Sequence, residues 1–171
     1  LPPIPGIVGG TNFTYVLTGG DYDLPVLSMS GKAEMMVTGN SRLYVSSGFS
    51  MSGKSKIIVD PGATLEIYIA STSASIGGNG IINVNNATNV FVYGLPSLKN
   101  LSMSGNGEFM GVIYAPDADL SLSGGGSGDN DFIGAGIFNT ITMNGHFKFH
   151  YDENLGTLDG GNTFKVTSWN E

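Results

Sequence analysis

The chain has 171 residues, a net charge of −7 and no cysteine, with 12% charged and 40% hydrophobic residues. One domain with a sizeable core fits this length, and the missing cysteine excludes disulfides and thiolate metal sites without fixing a compartment. Seven basic residues scattered singly argue against binding to nucleic acid or to anionic membrane surfaces, and no apolar run approaches the roughly 18 residues of a membrane span.

The chain opens Leu1-Pro2-Pro3-Ile4-Pro5-Gly6, without methionine, as a mature product or excised fragment would. Residues 1–12 read as a Pro/Gly-rich linker in which regular pairing is prevented. Residues 13–171 read as one domain, with a first strand over Phe13 to Leu17. From Val26 to about Tyr151 a pattern recurs. Ser28-Met29-Ser30-Gly31, Ser50-Met51-Ser52-Gly53 and Ser102-Met103-Ser104-Gly105 are its clearest copies. Ser75-Ile76-Gly77, Ser121-Leu122-Ser123-Gly124 and Thr142-Met143-Asn144-Gly145 are looser. The central apolar residues are spaced by 22, 25, 27, 19 and 21 positions. Such a period, with an apolar residue beside a turn glycine, predicts stacked coils of a solenoid.

Aligning the copies assigns the faces. Offset six gives Met35, Ile57, Ile82, Phe109 and Phe149, and Phe132 joins them if residues 124–128 hold a four-residue insertion. Offset eight gives Val37, Val59, Val84, Gly111, Gly134 and Tyr151. Strand positions two apart share a face, so both columns are expected to point inward. Offset five is mostly charged (Glu34, Lys56, Glu108, Asp131, Lys148) and is expected outward, with Glu34 beside Lys56 on adjacent coils. The central residues form an internal ladder with Met29, Met51, Met103 and Met143 as its methionines; their flexible side chains suit irregular gaps. The following glycines turn corners where a Cβ would clash.

Offset seven is the anomaly: Met36, Ile58, Asn83, Met110, Ile133 and His150. It is expected outward, yet four of its members are apolar, which makes Met36, Ile58, Met110 and Ile133 a candidate interface. Its partner is either another part of this chain, a second copy, or an envelope or pilus protein.

Chemistry-bearing clusters are sparse. Asp117 and Asp119 lie two apart and are candidate carbohydrate contacts, since glycoside cleavage needs paired carboxylates; solvated strand positions give the same spacing. Asp129-Asn130-Asp131 after a glycine-rich stretch is a weak calcium candidate through Asp129 and Asp131, because alternating oxygen ligands are needed. His146 and His150 in an extended run stand about 13 Å apart, too far to share one metal. His150 with Asp152 is a candidate polar cluster, either a structural hydrogen bond or an oriented base. No nucleophile is placed beside them, no phosphate loop follows the glycines, and no cofactor is implied.

Phe109-Met110-Gly111-Val112-Ile113-Tyr114-Ala115-Pro116-Asp117-Ala118, Phe132-Ile133-Gly134-Ala135, Phe147 to Leu155, and Thr167-Ser168-Trp169-Asn170-Glu171 carry a resemblance. Together they resemble an uncharacterised bacterial envelope domain of the β-solenoid type, found in proteins with type IV pilin-like (PilX-like) N-terminal segments. The likeness covers most of residues 26–171. It implies an exported, envelope-associated solenoid and brings no catalytic residues.

The expected fold is therefore a right-handed parallel β-helix of about six coils; an antiparallel β-sandwich is the alternative. The expected function is a non-enzymatic secreted or cell-surface structural or adhesive domain, associated with a pilus or other appendage. The alternative is a β-helix protein that binds or cleaves carbohydrate, with a glycan as partner. The polar, turn-rich composition points to an extracellular or cell-surface location.

Overall fold

The structure, a computed structural model, describes residues 4–105, 109–124, 130–145 and 147–157. Its fourteen strands are β1 (Ile4–Val8), β2 (Thr11–Leu17), β3 (Gly20–Met29), β4 (Glu34–Val37), β5 (Ser41–Met51), β6 (Lys56–Val59) and β7 (Leu65–Ile69), followed by β8 (Ser73–Ile76), β9 (Ile81–Asn83), β10 (Val90–Gly94), β11 (Asn100–Ser104), β12 (Phe109–Gly124), β13 (Asn130–Gly145) and β14 (Phe147–His150). They wind into a parallel β-helix of about six turns. Among the described residues every pairing except β1–β2 is parallel, so the antiparallel sandwich is set aside.

Each turn contributes to three ribbons. The first runs β2–β4–β6–β9 and continues into the starts of β12 and β13 and into β14. The second stacks the start of β3 and of β5 with β7, β10 and the middle of β12 and β13. The third stacks the ends of β3 and β5 with β8, β11 and the ends of β12 and β13. Alternation along each strand sends one set of side chains into a single shared core.

The repeat forms the spine of that core. Met29 pairs with Met51, Ile76 with Met103, Met103 with Leu122, and Leu122 with Met143. The corner glycines Gly31, Gly53, Gly78 and Gly105 all have positive φ. A Cβ on Gly53 would stand 2.9 Å from the Gly31 backbone nitrogen, so the stacked corners need glycine for space as well as for conformation. Gly134 is tighter still: with φ at +139°, its Cβ would collide with the Gly111 carbonyl oxygen.

Three expectations are corrected. Segment 1–12 contains β1, which pairs with β2 through the register Ile7–Asn12 and Val8–Thr11. Proline is tolerated because β1 is an edge strand and its register shifts between Ile4 and Gly6, at Pro5. The coil after Ile76 is slipped by one residue. Ile81, not Ile82, pairs with Ile57, and Asn83 pairs with Val59. The corner there is one residue shorter than the one after Met51, and a slip of one exchanges the faces. Ile82 and Val84 are therefore exposed at 36% and 65%, while Asn83 is buried. Asn83 is satisfied inside: its Nδ2 donates to the carbonyls of Asn86 at 2.6 Å and Met110 at 3.2 Å. The inward assignment of Tyr151 also fails, since it lies exposed beyond the end of β14.

Candidate functional site

The outer surface is three in-register faces, and each candidate residue falls on one of them. On the first ribbon, Val16, Met36, Ile58 and Ile82 are successive cross-strand neighbours. Ile81 pairs with Phe109, which sets Met110 beside Ile82, and Met110 pairs with Ile133 and Ile133 with His150. The apolar column is thus continuous, because Ile82 fills the position assigned to Asn83. Met36, Ile58, Met110 and Ile133 are half-buried. The charged column runs beside it: Lys56 Nζ lies 3.1 Å from Glu34 Oε1. Glu108 lies outside the described residues.

The second ribbon carries a feature that the sequence reading missed. Tyr44, Tyr68, Tyr93 and Tyr114 are in register across four turns. The Tyr68 and Tyr93 rings stack with centroids 4.8 Å apart and planes 16° apart. Phe91 lies parallel beside Tyr93 at 6.1 Å. The Tyr68 hydroxyl donates to Glu66 Oε2 at 2.7 Å. That bond to a carboxylate, followed by burial, pushes the Tyr68 phenol up to about 12. Burial first, then the Glu66 charge, pushes Tyr93 up as well. Arg42 sits in register with Glu66 but forks onto Asp21, with Nε to Oδ1 at 2.7 Å and the second bond at 3.0 Å. The signal was present in the sequence: the tyrosines are spaced by 24, 25 and 21 residues, within the range of the repeat. Extending the alignment past the first strand after each corner exposes it.

The third ribbon displays hydroxyls. Ser28, Ser50, Ser75, Ser102, Ser121 and Thr142 form one outward row. These residues are the Ser and Thr that precede each ladder residue in the repeat. A groove of about 520 Å³ lies on this face, lined by hydroxyls from Ser50 to Thr142 together with Asn100 and Asp119. Asp119 Oδ1 accepts from Thr140 Oγ1 at 2.7 Å and Asn139 Nδ2 at 2.8 Å. The Thr140 bond, then the Asn139 bond, holds its carboxyl below the usual range. Asp117 is on the other side of the buried Ala118 and faces Lys99 Nζ at 3.8 Å. The two carboxylates of the carbohydrate candidate are therefore close in sequence but held by different partners. A glycosidase acid needs a raised pKa, and the shift at Asp119 runs the other way.

His150 and Asp152 also have different partners. His150 Nε2 lies 3.6 Å from Asp131 Oδ1, its cross-strand diagonal neighbour. Asp152 Oδ2 accepts the backbone N–H of Ala87 at 2.7 Å, and its Oδ1 accepts from Asn154 N and Nδ2 at 3.0 and 2.8 Å. The Ala87 bond is the largest influence holding the Asp152 carboxyl below its ordinary value. Asp152 thus ties the 3-10 turn Glu153–Thr157 to the turn Ala87–Asn89. Asp129 and His146 lie outside the described residues. Among the described residues no three His, Asp or Glu side chains group as metal ligands, and no helix is long and apolar enough to cross a membrane.

The family model of a domain of unknown function (DUF7305) matches residues 8–158, and the chain belongs to that family. No curated protein and no solved structure matches the chain.

Proposed function

We propose that this member of the DUF7305 family is a non-enzymatic structural or adhesive domain, displayed outside the cell and associated with the bacterial envelope or a pilus-like appendage. The observation that carries this reading is the arrangement of the carboxylate pair Asp117 and Asp119. Asp119 accepts from Thr140 and Asn139, which lowers its pKa, the direction opposite to the one a general acid needs, and Asp117 faces Lys99 at 3.8 Å. The rest of the surface is a rigid scaffold of repeated faces, a form suited to presentation. The envelope and appendage setting is supported by the resemblance to solenoid domains that follow PilX-like segments and by the polar, lysine-poor composition.

A second reading is favoured by the groove on the third ribbon. Its hydroxyls and Asn100 supply the donors and acceptors that a glycan needs, so a lectin-like role fits within the same non-enzymatic assignment. A glycan array paired with a reducing-sugar assay tests both. The expected result is no release of reducing ends by the wild type, with any glycan binding weakened in Asn100→Ala. Turnover that is lost in Asp117→Asn would overturn the proposal.

A further inference from the structure

A sheet edge carries unpaired N–H and C=O groups, and soluble proteins protect such edges with charge, proline or a covering element. The two ends of this solenoid differ in that respect. At the N-terminal end the edge strand β3 pairs, among the described residues, with β5 alone and carries Asp21, Asp23 and Pro25. At the C-terminal end β14 takes only residues Asn130 to Ile133 of β13. Among the described residues, β13 from Gly134 to Gly145 is paired with β12 alone, and this stretch contains neither a charged residue nor a proline. It is β-prone and alternates Ile141 and Met143 with Thr140, Thr142 and Asn144.

The inward set of this stretch is open. Ile141 is 54% exposed and Met143 47%, although their cross-strand neighbours Leu120 and Leu122 are almost fully buried. Phe149, stacked on the buried Phe132 at 4.8 Å, is also half exposed. Among the described residues, an unprotected strand edge and an open core thus coincide at one end.

We propose that the β13 edge over Asn139–Asn144 is a strand-addition surface, and that its occupant is a second copy of this chain docked tail to tail. Head-to-tail stacking is opposed by the other end, where Asp23 and the Asp21–Arg42 pair would enter the contact and Pro25 offers no N–H. A two-fold pairing has no such conflict. Antiparallel pairing about Thr142 places Ile141 opposite Met143 of the second copy, so both open cores close against each other while the hydroxyls stay outside. The segment brings no charge against itself. The remaining repulsion is the long-range one between two anionic bodies, so added salt strengthens the dimer.

Sedimentation velocity on the 171-residue chain tests it. The expected result is a salt-strengthened dimer that is weakened about tenfold or more in the double variant Ile141→Ser with Met143→Ser, with the far-ultraviolet circular dichroism unchanged. The chain has no cysteine, so a single Thr142→Cys reports the contact without removing any apolar surface. It forms a disulfide-linked dimer under mild oxidation, and Ser28→Cys, the equivalent position in the first coil, does not. A monomeric wild type overturns the proposal. So does a dimer that survives the double variant, or one that is lost in Met36→Lys with Met110→Lys instead.

Discussion

Met29 and Met143 are the first and last rungs of one ladder, yet Met29 is 1% exposed and Met143 47%. The local sequence is similar at both, so the difference comes from what lies beyond the rung. At the N-terminal end β1 and β2 add an antiparallel layer, in which Phe13 and Leu17 are buried. Tyr22 locks the first corner, its hydroxyl accepting from Thr18 N at 3.0 Å and donating to the Gly19 carbonyl at 3.2 Å. At the C-terminal end, among the described residues, nothing comparable covers β13. A repeat unit cannot bury its own apolar face; it needs the next unit or a cap. The comparison shows that the Ser-Met-Ser-Gly pattern specifies a rung, while burial of the rung belongs to its neighbours.

The largest expected effect breaks or supports this comparison directly. Met51→Ala or Met103→Ala removes a side chain enclosed on both sides, so each should cost about 2–5 kcal/mol in urea or thermal unfolding. Met143→Ala in the monomer should cost less than about 1 kcal/mol, because half of that side chain is already in water. Equal losses at Met51 and Met143 would show that the last rung is covered in solution. Equal losses only at concentrations where the dimer forms would place the covering in the second copy.

The internal ladder was legible because glycine and serine mark each corner in the sequence, and the fold class followed from it. The slip at Ile81 was not, since Gly77-Gly78-Asn79-Gly80 gives no sign of which residue the shorter corner omits. A period of two then converts that single residue into an exchange of faces, which sent Asn83 to the surface in the sequence reading and Ile82 to the core. The apolar column was therefore found with a gap that the structure closes. The tyrosine ladder went unseen because the alignment stopped one strand after each corner. Asp152 was found as a polar residue but given the wrong partner: its contact with Ala87 spans 65 positions, and only the winding of the coils brings the two together.

The next effect concerns the C-terminal end alone. Asp152→Ala removes the acceptor that satisfies the Ala87 N–H and should cost about 1 kcal/mol, as the loss of a capping carboxylate does. The loss should appear as faster hydrogen exchange around Ala87–Asn89, with the coils near Met51 unaffected. The same contact makes this end sensitive to acid. The Asp152 carboxyl is held below its ordinary value in the fold, so the unfolded chain binds the proton more readily. Its stabilising contribution is full above the unfolded value of about 3.9 and is lost as pH falls through the lower folded value. Asp152→Ala should therefore flatten the acid limb of thermal stability; an unchanged limb would assign the acid sensitivity elsewhere.

The smallest effect lies at the covered end. Glu34 and Lys56 meet at 3.1 Å on adjacent coils, with both side chains more than a quarter exposed. A pair so accessible to water gains little, because the solvent screens the attraction and two long side chains lose freedom. A double-mutant cycle with Glu34→Gln and Lys56→Met should give a coupling of at most about 1 kcal/mol, reduced further by salt. Its value here is as a control on the comparison. If the first coils owed their order to surface charge, this coupling would rival the loss at Met51 and salt would soften the N-terminal end. A small coupling leaves core closure as the difference between the ends, and the tail-to-tail contact then completes at β13 what β1 and β2 complete at the start.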